Sequence, residues 1–363
     1  MASRSPSTPL RTRRHDRGFS LPELLIALVL GLFVLGALIQ TFLGFRQSSR
    51  LVDAQAQVQE ASRFATETLA RSMRAAGDLG CVGLNNIRNR TNEPTLLQPL
   101  AGADNVGPYD LPDPPDKIGP SDEVTITRML SPPMRLAADV TNPGDNTTVQ
   151  VVEPNELKDG PDPGQLEENL AVITDCSKAD LFQITSSNPR AGNWARECGS
   201  TNVATSINRT PCAGGNVPLV PLSTDGYAES NTIVRVIRQD TFRVQELTDG
   251  PNLARERNRF FPNNNNQGII PNIVDMQVFY GIGGADGVAD SYVPAGGVGD
   301  FNTVVSLRIF LLVRSRDDNV VDQPQTLRYI DASSTNQDLA PLTMPTRHFY
   351  RVVVHTISLR ERV

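Results

Sequence analysis

Residues 17–45 read "RGFSLPELLIALVLGLFVLGALIQTFLGF". One carboxylate, Glu23, stands at the start of an apolar run that is free of charge from Leu24 to Phe45. As a helix those residues span about 33 Å, roughly one hydrocarbon thickness. This exceeds the apolar core of a secretory signal, and no small-residue cleavage site follows it, which also counts against a twin-arginine reading of Arg13-Arg14. The preceding residues 1–18 carry five arginines against Asp16, a balance of +4 that leaves −10 for the remainder of a chain whose net charge is −6. A basic leader stays on the cytoplasmic side, so residues from Arg46 onward are expected across the membrane. An acid within the bilayer costs about 2.5–3.5 kcal/mol even on the lenient insertion scale, which marks Glu23 as functional. Pro22 is tolerated beside it because first-turn amides have no acceptor inside the helix.

Apolar periodicity continues beyond Arg46 through Leu51, Ala54, Val58, Ala61, Ala65, Leu69, Met73 and Ala76, with Asp, Gln, Glu and Arg between. That is one apolar stripe on a polar helix, and Gly77 is its natural stop. The pattern predicts a helix from Phe19 to Ala76, about 87 Å long, apolar all round in its first half and amphipathic in its second. Strands are expected at Glu123–Met129, Thr148–Glu153, Leu181–Thr185, Asn272–Gly281, Thr303–Ser315 and Tyr350–Arg360, several of them alternating in polarity. Thr232–Arg238 and Thr241–Leu247 are expected to form a hairpin through Gln239-Asp240. Pro-, Gly- and Asn-rich stretches at 85–120, 131–147, 186–231, 251–271 and 316–347 are expected to be long loops, with Asn263–Asn266 at a loop tip.

The order Gly18-Phe19-Ser20-Leu21-Pro22-Glu23-Leu24-Leu25-Ile26-Ala27-Leu28, behind a basic leader, resembles the class III signal of type IV prepilins and type II secretion pseudopilins. The resemblance implies that a prepilin peptidase cuts between Gly18 and Phe19 and methylates the new amino group of Phe19. It also implies that Glu23, beside Pro22, guides docking during assembly. Further on, "RSMRAAGDLGCVG", "DCSKADLFQIT", "NIVDMQVFYGI…ADGVADSYV" and "YRVVVHTISLRER" resemble, in order, the PilW family of type IV pilus minor pilins.

The expected fold is therefore α+β and type IV pilin-like, a long N-terminal helix packed on an antiparallel sheet with long loops. Its parts are a cleaved leader (1–18), a transmembrane half-helix (19–46), an amphipathic half-helix (47–77) and a β-rich periplasmic or extracellular head (78–363). The implied function is a minor pilin that primes pilus assembly in a tip complex and supports twitching motility and adhesion. Its implied partners are the prepilin peptidase, the major pilin, other minor pilins and a tip adhesin. The subunit would sit in the inner membrane in a single pass, then at the pilus tip. The alternative is a minor pseudopilin of a type II secretion system.

Four cysteines, Cys81, Cys176, Cys198 and Cys212, in an exported chain point to disulfides rather than zinc, because none forms a C-x-x-C pair. Cys198–Cys212 with Cys81–Cys176 is the favoured pairing, and Cys81–Cys212 with Cys176–Cys198 is the rival. No enzyme, cofactor or metal is expected. Outside the leader the histidines are His348 and His355, seven residues apart and so on opposite faces of one strand. "GGADGVAD", with Asp286 and Asp290, lacks the spacing and closing Glu of a calcium loop. Trp194 is expected to fill the core. An acidic body argues against nucleic-acid binding.

Overall fold

The computed structural model describes residues 20–78, 81, 86–91, 94–106, 120–129, 133–140, 148–152, 170–185, 192–195, 222, 226–257, 267–283, 287–330 and 337–359. The chain divides into two compact units, Met1–Asp53 and Ala54–Val363. A single helix, α1 (Leu21–Arg74), runs through the boundary.

In the first unit the residues of α1 from Leu21 to Arg50 are all exposed, including Leu, Ile, Val and Phe side chains on every face. A helix that is apolar all round requires lipid or other protein about it, and this one is long and apolar enough to cross a membrane.

In the second unit α1 buries Ala54, Val58, Ser62, Ala65, Leu69, Ala70 and Met73, a three-and-four spacing that forms one face. The polar Ser62 on that face returns its hydroxyl to the Val58 carbonyl at 2.5 Å, which removes the cost of burying it. Arg71 and Arg74 in the last turn complement the helix dipole. The chain then leaves through Gly77, whose φ of 79° is readily adopted without a side chain and whose N–H donates to the Thr127 carbonyl at 2.9 Å.

The strands of this unit are, in chain order, β1 (Ile87–Asn89), β2 (Leu100–Val106), β3 (Ser121–Met129), β4 (Met134–Arg135), β5 (Thr148–Gln150) and β6 (Leu170–Thr174). They continue with β7 (Ala179–Gln183), β8 (Asn193–Ala195), β9 (Ile233–Leu247), β10 (Gly250–Arg257), β11 (Gln267–Pro271) and β12 (Ile273–Gly283). The last are β13 (Ala289–Val293), β14 (Val304–Arg314), β15 (Thr326–Ile330), β16 (Leu339–Thr343) and β17 (Tyr350–Ser358). The larger sheet follows the order β1-β7-β6-β9-β10-β11, with β2, β3 and β4 joined on the other side of β9. The smaller sheet has the order β13-β12-β14-β17 and is antiparallel throughout. β1 pairs with β7 in parallel, while the other ladders of the larger sheet are antiparallel. A long apolar N-terminal helix followed by mostly antiparallel β structure makes the fold α+β.

The principal core joins Val58, Ala65, Leu69 and Met73 of α1 to Val124 and Ile126, to Phe242, Leu253 and Ile270, and to Met276, Val278, Leu307, Ile309 and Ile357. Both sheets therefore contribute to the cover of the amphipathic stripe. A second core, around Trp194, Phe182, Ile173 and Val234, lies among β4–β9. Trp194 is fully buried there, in β8.

Several sequence expectations require correction. Thr232–Leu247 is not a hairpin: β9 is one strand of 15 residues with Gln239 and Asp240 buried at its middle. The polar pair that reads as a turn is instead held by ion pairs, Asp240 to Arg128 of β3 at 3.0 Å and to Arg238 at 2.7 Å. The actual reversal follows at Thr248-Asp249-Gly250, with Gly250 at a φ of 109°. The stretches expected as loops at 85–120, 131–147, 186–231, 251–271 and 316–347 contain β1 and β2, β4, β8, most of β10 with β11, and β15 and β16 respectively. β6 falls outside every expected strand. It forms a hairpin with β7 through a turn in which Asp175 accepts from the backbone of Ser177 and Lys178. His348 precedes β17, so it and His355 do not share a strand and are not on its opposite faces. Asn263–Asn266 and Asp286 lie outside the described residues.

Candidate assembly sites

The N-terminal signal comes first. Gly18 and Phe19 lie outside the described residues, which begin at Ser20. Ser20 opens α1, and its carbonyl accepts from the N–H of Leu24 at 3.1 Å. Glu23 reaches back, its Oε2 accepting from the Ser20 N–H and the Ser20 hydroxyl, both at 3.3 Å. The Ser20-x-x-Glu23 spacing is thus one arm of a capping box, a signal legible in the sequence but overlooked there. It satisfies an amide that would otherwise lack an acceptor, and it places negative charge on the first turn, where the helix dipole favours it. Pro22 sits inside that turn without disrupting it.

A second feature is the disulfide. Cys81 and Cys176 are bonded, with Cα atoms 5.3 Å apart. The bond ties the segment after α1 to the turn between β6 and β7, where Cys176 adopts a φ of 67°. Cys198 and Cys212 lie outside the described residues.

The third is the junction of the two sheets. β13 covers β12 only from Tyr280 to Gly283 on that edge. Short of it, donors of β12 are taken by side chains from the start of β3. The Met276 N–H donates to the Ser121 hydroxyl at 3.2 Å, and the Val278 N–H donates to Asp122 Oδ2 at 2.8 Å. The other oxygen of Asp122 accepts from the Asn105 N–H at 2.9 Å. Ser121 in turn donates to Asp275, which also accepts from Gln277 at 3.1 Å. Asp104 accepts from the backbone of Ala295 and Gly296, both at 2.7 Å. These carboxylates stitch the sheets together, and they repel one another. Burial, reinforced by Asp104 and Asp275, raises the Asp122 carboxyl to about 7 despite its two amide donors. Burial raises Asp275 as well. Tyr280 packs against Gly102, where any Cβ would overlap the phenol oxygen.

The fourth is a groove of about 580 Å³ beside the last three turns of α1, with Arg63, Glu67, Arg71, Arg74, Asp78 and His355 among its walls. Arg71 pairs with Glu67 at 2.8 Å. His348 lies elsewhere, nearly buried, against the Tyr350 ring at 6.0 Å; burial and the Arg314 charge lower its pKa. Among the described residues no group of His, Cys, Asp and Glu has the arrangement of a metal site.

Comparison with known proteins gives two family matches. A model described as type IV pilus-assembly protein W matches residues 241–361, from the second half of β9 through β17. A model of the prokaryotic N-terminal methylation motif matches residues 13–39, which include Gly18, Phe19, Pro22 and Glu23. No curated protein and no solved structure matches the chain.

Proposed function

We propose, from the premise that this chain is a PilW-type type IV pilin with a class III signal, that it is a minor pilin that primes pilus assembly within a tip complex. The observation that carries the reading is the presence in one chain of the methylation motif at 13–39 and the PilW match at 241–361. In this reading the subunit waits in the inner membrane on the apolar part of α1. The prepilin peptidase removes residues 1–18 and methylates Phe19. The subunit then joins other minor pilins, the major pilin and a tip adhesin, and it supports twitching motility and adhesion. Its role is structural and involves no catalytic step.

Glu23 supplies the chemistry of assembly. Cleavage creates an ammonium at Phe19, one helical turn away. Two unit charges about 4 Å apart gain about 4 kcal/mol at an effective dielectric of 20, similar to the cost of placing the acid in lipid. The Ser20 hydroxyl and N–H hold the carboxylate at 3.3 Å, a length that leaves it free to exchange these neutral donors for a stronger, charged one on a neighbouring subunit. Heterologous contacts of this kind extend into filaments rather than closing into rings.

Mass spectrometry of the mature protein tests the reading at its root: the expected N-terminus is methyl-phenylalanine at Phe19, and a chain retaining residues 1–18 in a strain with an active peptidase refutes it. Deletion of the gene should abolish surface pili and twitching. Loss of exoprotein secretion with pili intact would instead establish the type II secretion alternative.

A further inference from the structure

The outer edge of β17 stands apart from the other sheet edges. β17 pairs with β14 from Tyr350 to Ser358 in continuous register, without a bulge. The Leu359 N–H donates to the Val305 carbonyl, and the Ser315 N–H donates to the Phe349 carbonyl. Odd-numbered residues therefore face β14, and the N–H and C=O groups of Val352, Val354, Thr356 and Ser358 point away from it. Among the described residues no strand pairs on that side. Gln325 closes the edge at one end by accepting from the Tyr350 N–H at 2.6 Å.

Natural proteins blunt such edges with short strands, prolines or bulges. β1 has three residues, β13 has five, β11 has five and ends in Pro271, and the seven-residue β2 is broken by a register shift between Ala103 and Val106. β17 has nine, contains no proline, and leaves Val354 51% exposed. Alongside it runs the groove described above, where Arg63, Arg71 and Arg74 outnumber the carboxylates of Glu67 and Asp78, and where Glu67 is already paired with Arg71. Arg63 and Arg74 form no ion pair among the described residues. Arg351, on the same face of β17 as His355, is exposed and extends the positive character along the strand.

We propose that the outer edge of β17 takes up an extended, acid-bearing segment of a neighbouring pilus subunit as an added strand, with its carboxylates seated against Arg63 and Arg74. Main-chain hydrogen bonds along the edge give affinity, and alternate side chains directed into the groove give selectivity for negative charge. The inference deepens the assembly reading by naming a surface for it.

The test uses the full chain in detergent and, as probe, a fluorescent peptide of four Val-Glu repeats. Saturable binding is expected. Replacing each Glu of the peptide by Lys should weaken it at least tenfold, as should Arg63→Glu with Arg74→Glu in the protein. N-methylation of every peptide amide should abolish it without touching the protein. Val354→Pro should do the same with the unfolding transition retained, because the outward amide of Val354 is not part of the ladder to β14. No saturable binding, equal binding of the Lys peptide, or survival of binding after N-methylation overturns the proposal. Processing at Phe19 is read separately: a processed chain that ignores the peptide sinks this inference alone, and an unprocessed chain that binds it sinks the pilus reading alone.

Discussion

Asp122→Asn should stabilise the protein at alkaline pH and leave it nearly unchanged in mild acid. The carboxyl of Asp122 is buried at the sheet junction and titrates at about 7 against an ordinary 3.8. The folded state therefore holds its proton more tightly than the unfolded state. The stabilisation from that proton is fully present below pH 3.8 and is lost as the pH rises through about 7. About three pH units at about 1.4 kcal/mol each give about 4 kcal/mol, the order of the penalty carried by the ionised form at pH 8. The groups around it, Asp104, Glu123, Asp275 and Tyr280, include no cation to offset that penalty. Asparagine has the shape of the neutral acid, with one acceptor oxygen for the amides of Asn105 and Val278, and it has no charge to bury. Urea unfolding of the detergent-solubilised chain, followed by fluorescence of its single tryptophan, the buried Trp194, measures the difference directly. At pH 5 the two proteins should agree within about 1–2 kcal/mol, the scale of one misplaced hydrogen bond. At pH 8 the variant should be the more stable by about 2–4 kcal/mol. A variant that is weaker than wild type at pH 8, or whose stability falls with pH as steeply, would show that the two amide donors fully compensate the buried charge.

Replacing Cys81 and Cys176 together by serine releases a loop with a sequence separation of 95; the expected loss is about 4–5 kcal/mol on the chain-entropy account, read as a lower urea midpoint. Asp240→Ala leaves Arg128 and Arg238 without their shared buried partner, and a loss of about 3–5 kcal/mol is expected in the same assay. Gly18→Leu should accumulate a longer, uncleaved precursor on immunoblots. Glu23→Ala should still be cut at Phe19 yet be incorporated into sheared pili at a small fraction of the wild-type level; undiminished incorporation would remove the docking role.

What the sequence disclosed tracks the distance over which each residue's reason operates. The N-terminal signal is contiguous, so Gly18 through Leu28 is readable at sight, and the stripe from Ala54 to Met73 needs only the helical period. β12, β14 and β17 are apolar or alternating runs and were legible for the same reason. β9 was misread because Asp240 looks like turn chemistry until Arg128, 112 residues earlier, supplies the opposite charge. β10 carries Gly, Pro, Asn and three charged residues in eight positions, and only pairing with β9 makes it a strand. The Asp122 junction and the β17 edge depend wholly on which strands become neighbours, and no local pattern announces that.

β9 also governs how this head can be divided. One half, Ile233–Ile237, pairs with β6, and the other, Asp240–Leu247, pairs with β10. The stretch that matches the pilus-assembly protein W model starts at residue 241, inside this strand. Evolutionary or experimental excision of the preceding region would thus cut through a shared beam, stripping β3 and β6 from the segment that remains. The region upstream of residue 241 is welded to the portion that matches the family model, and the two are expected to unfold together.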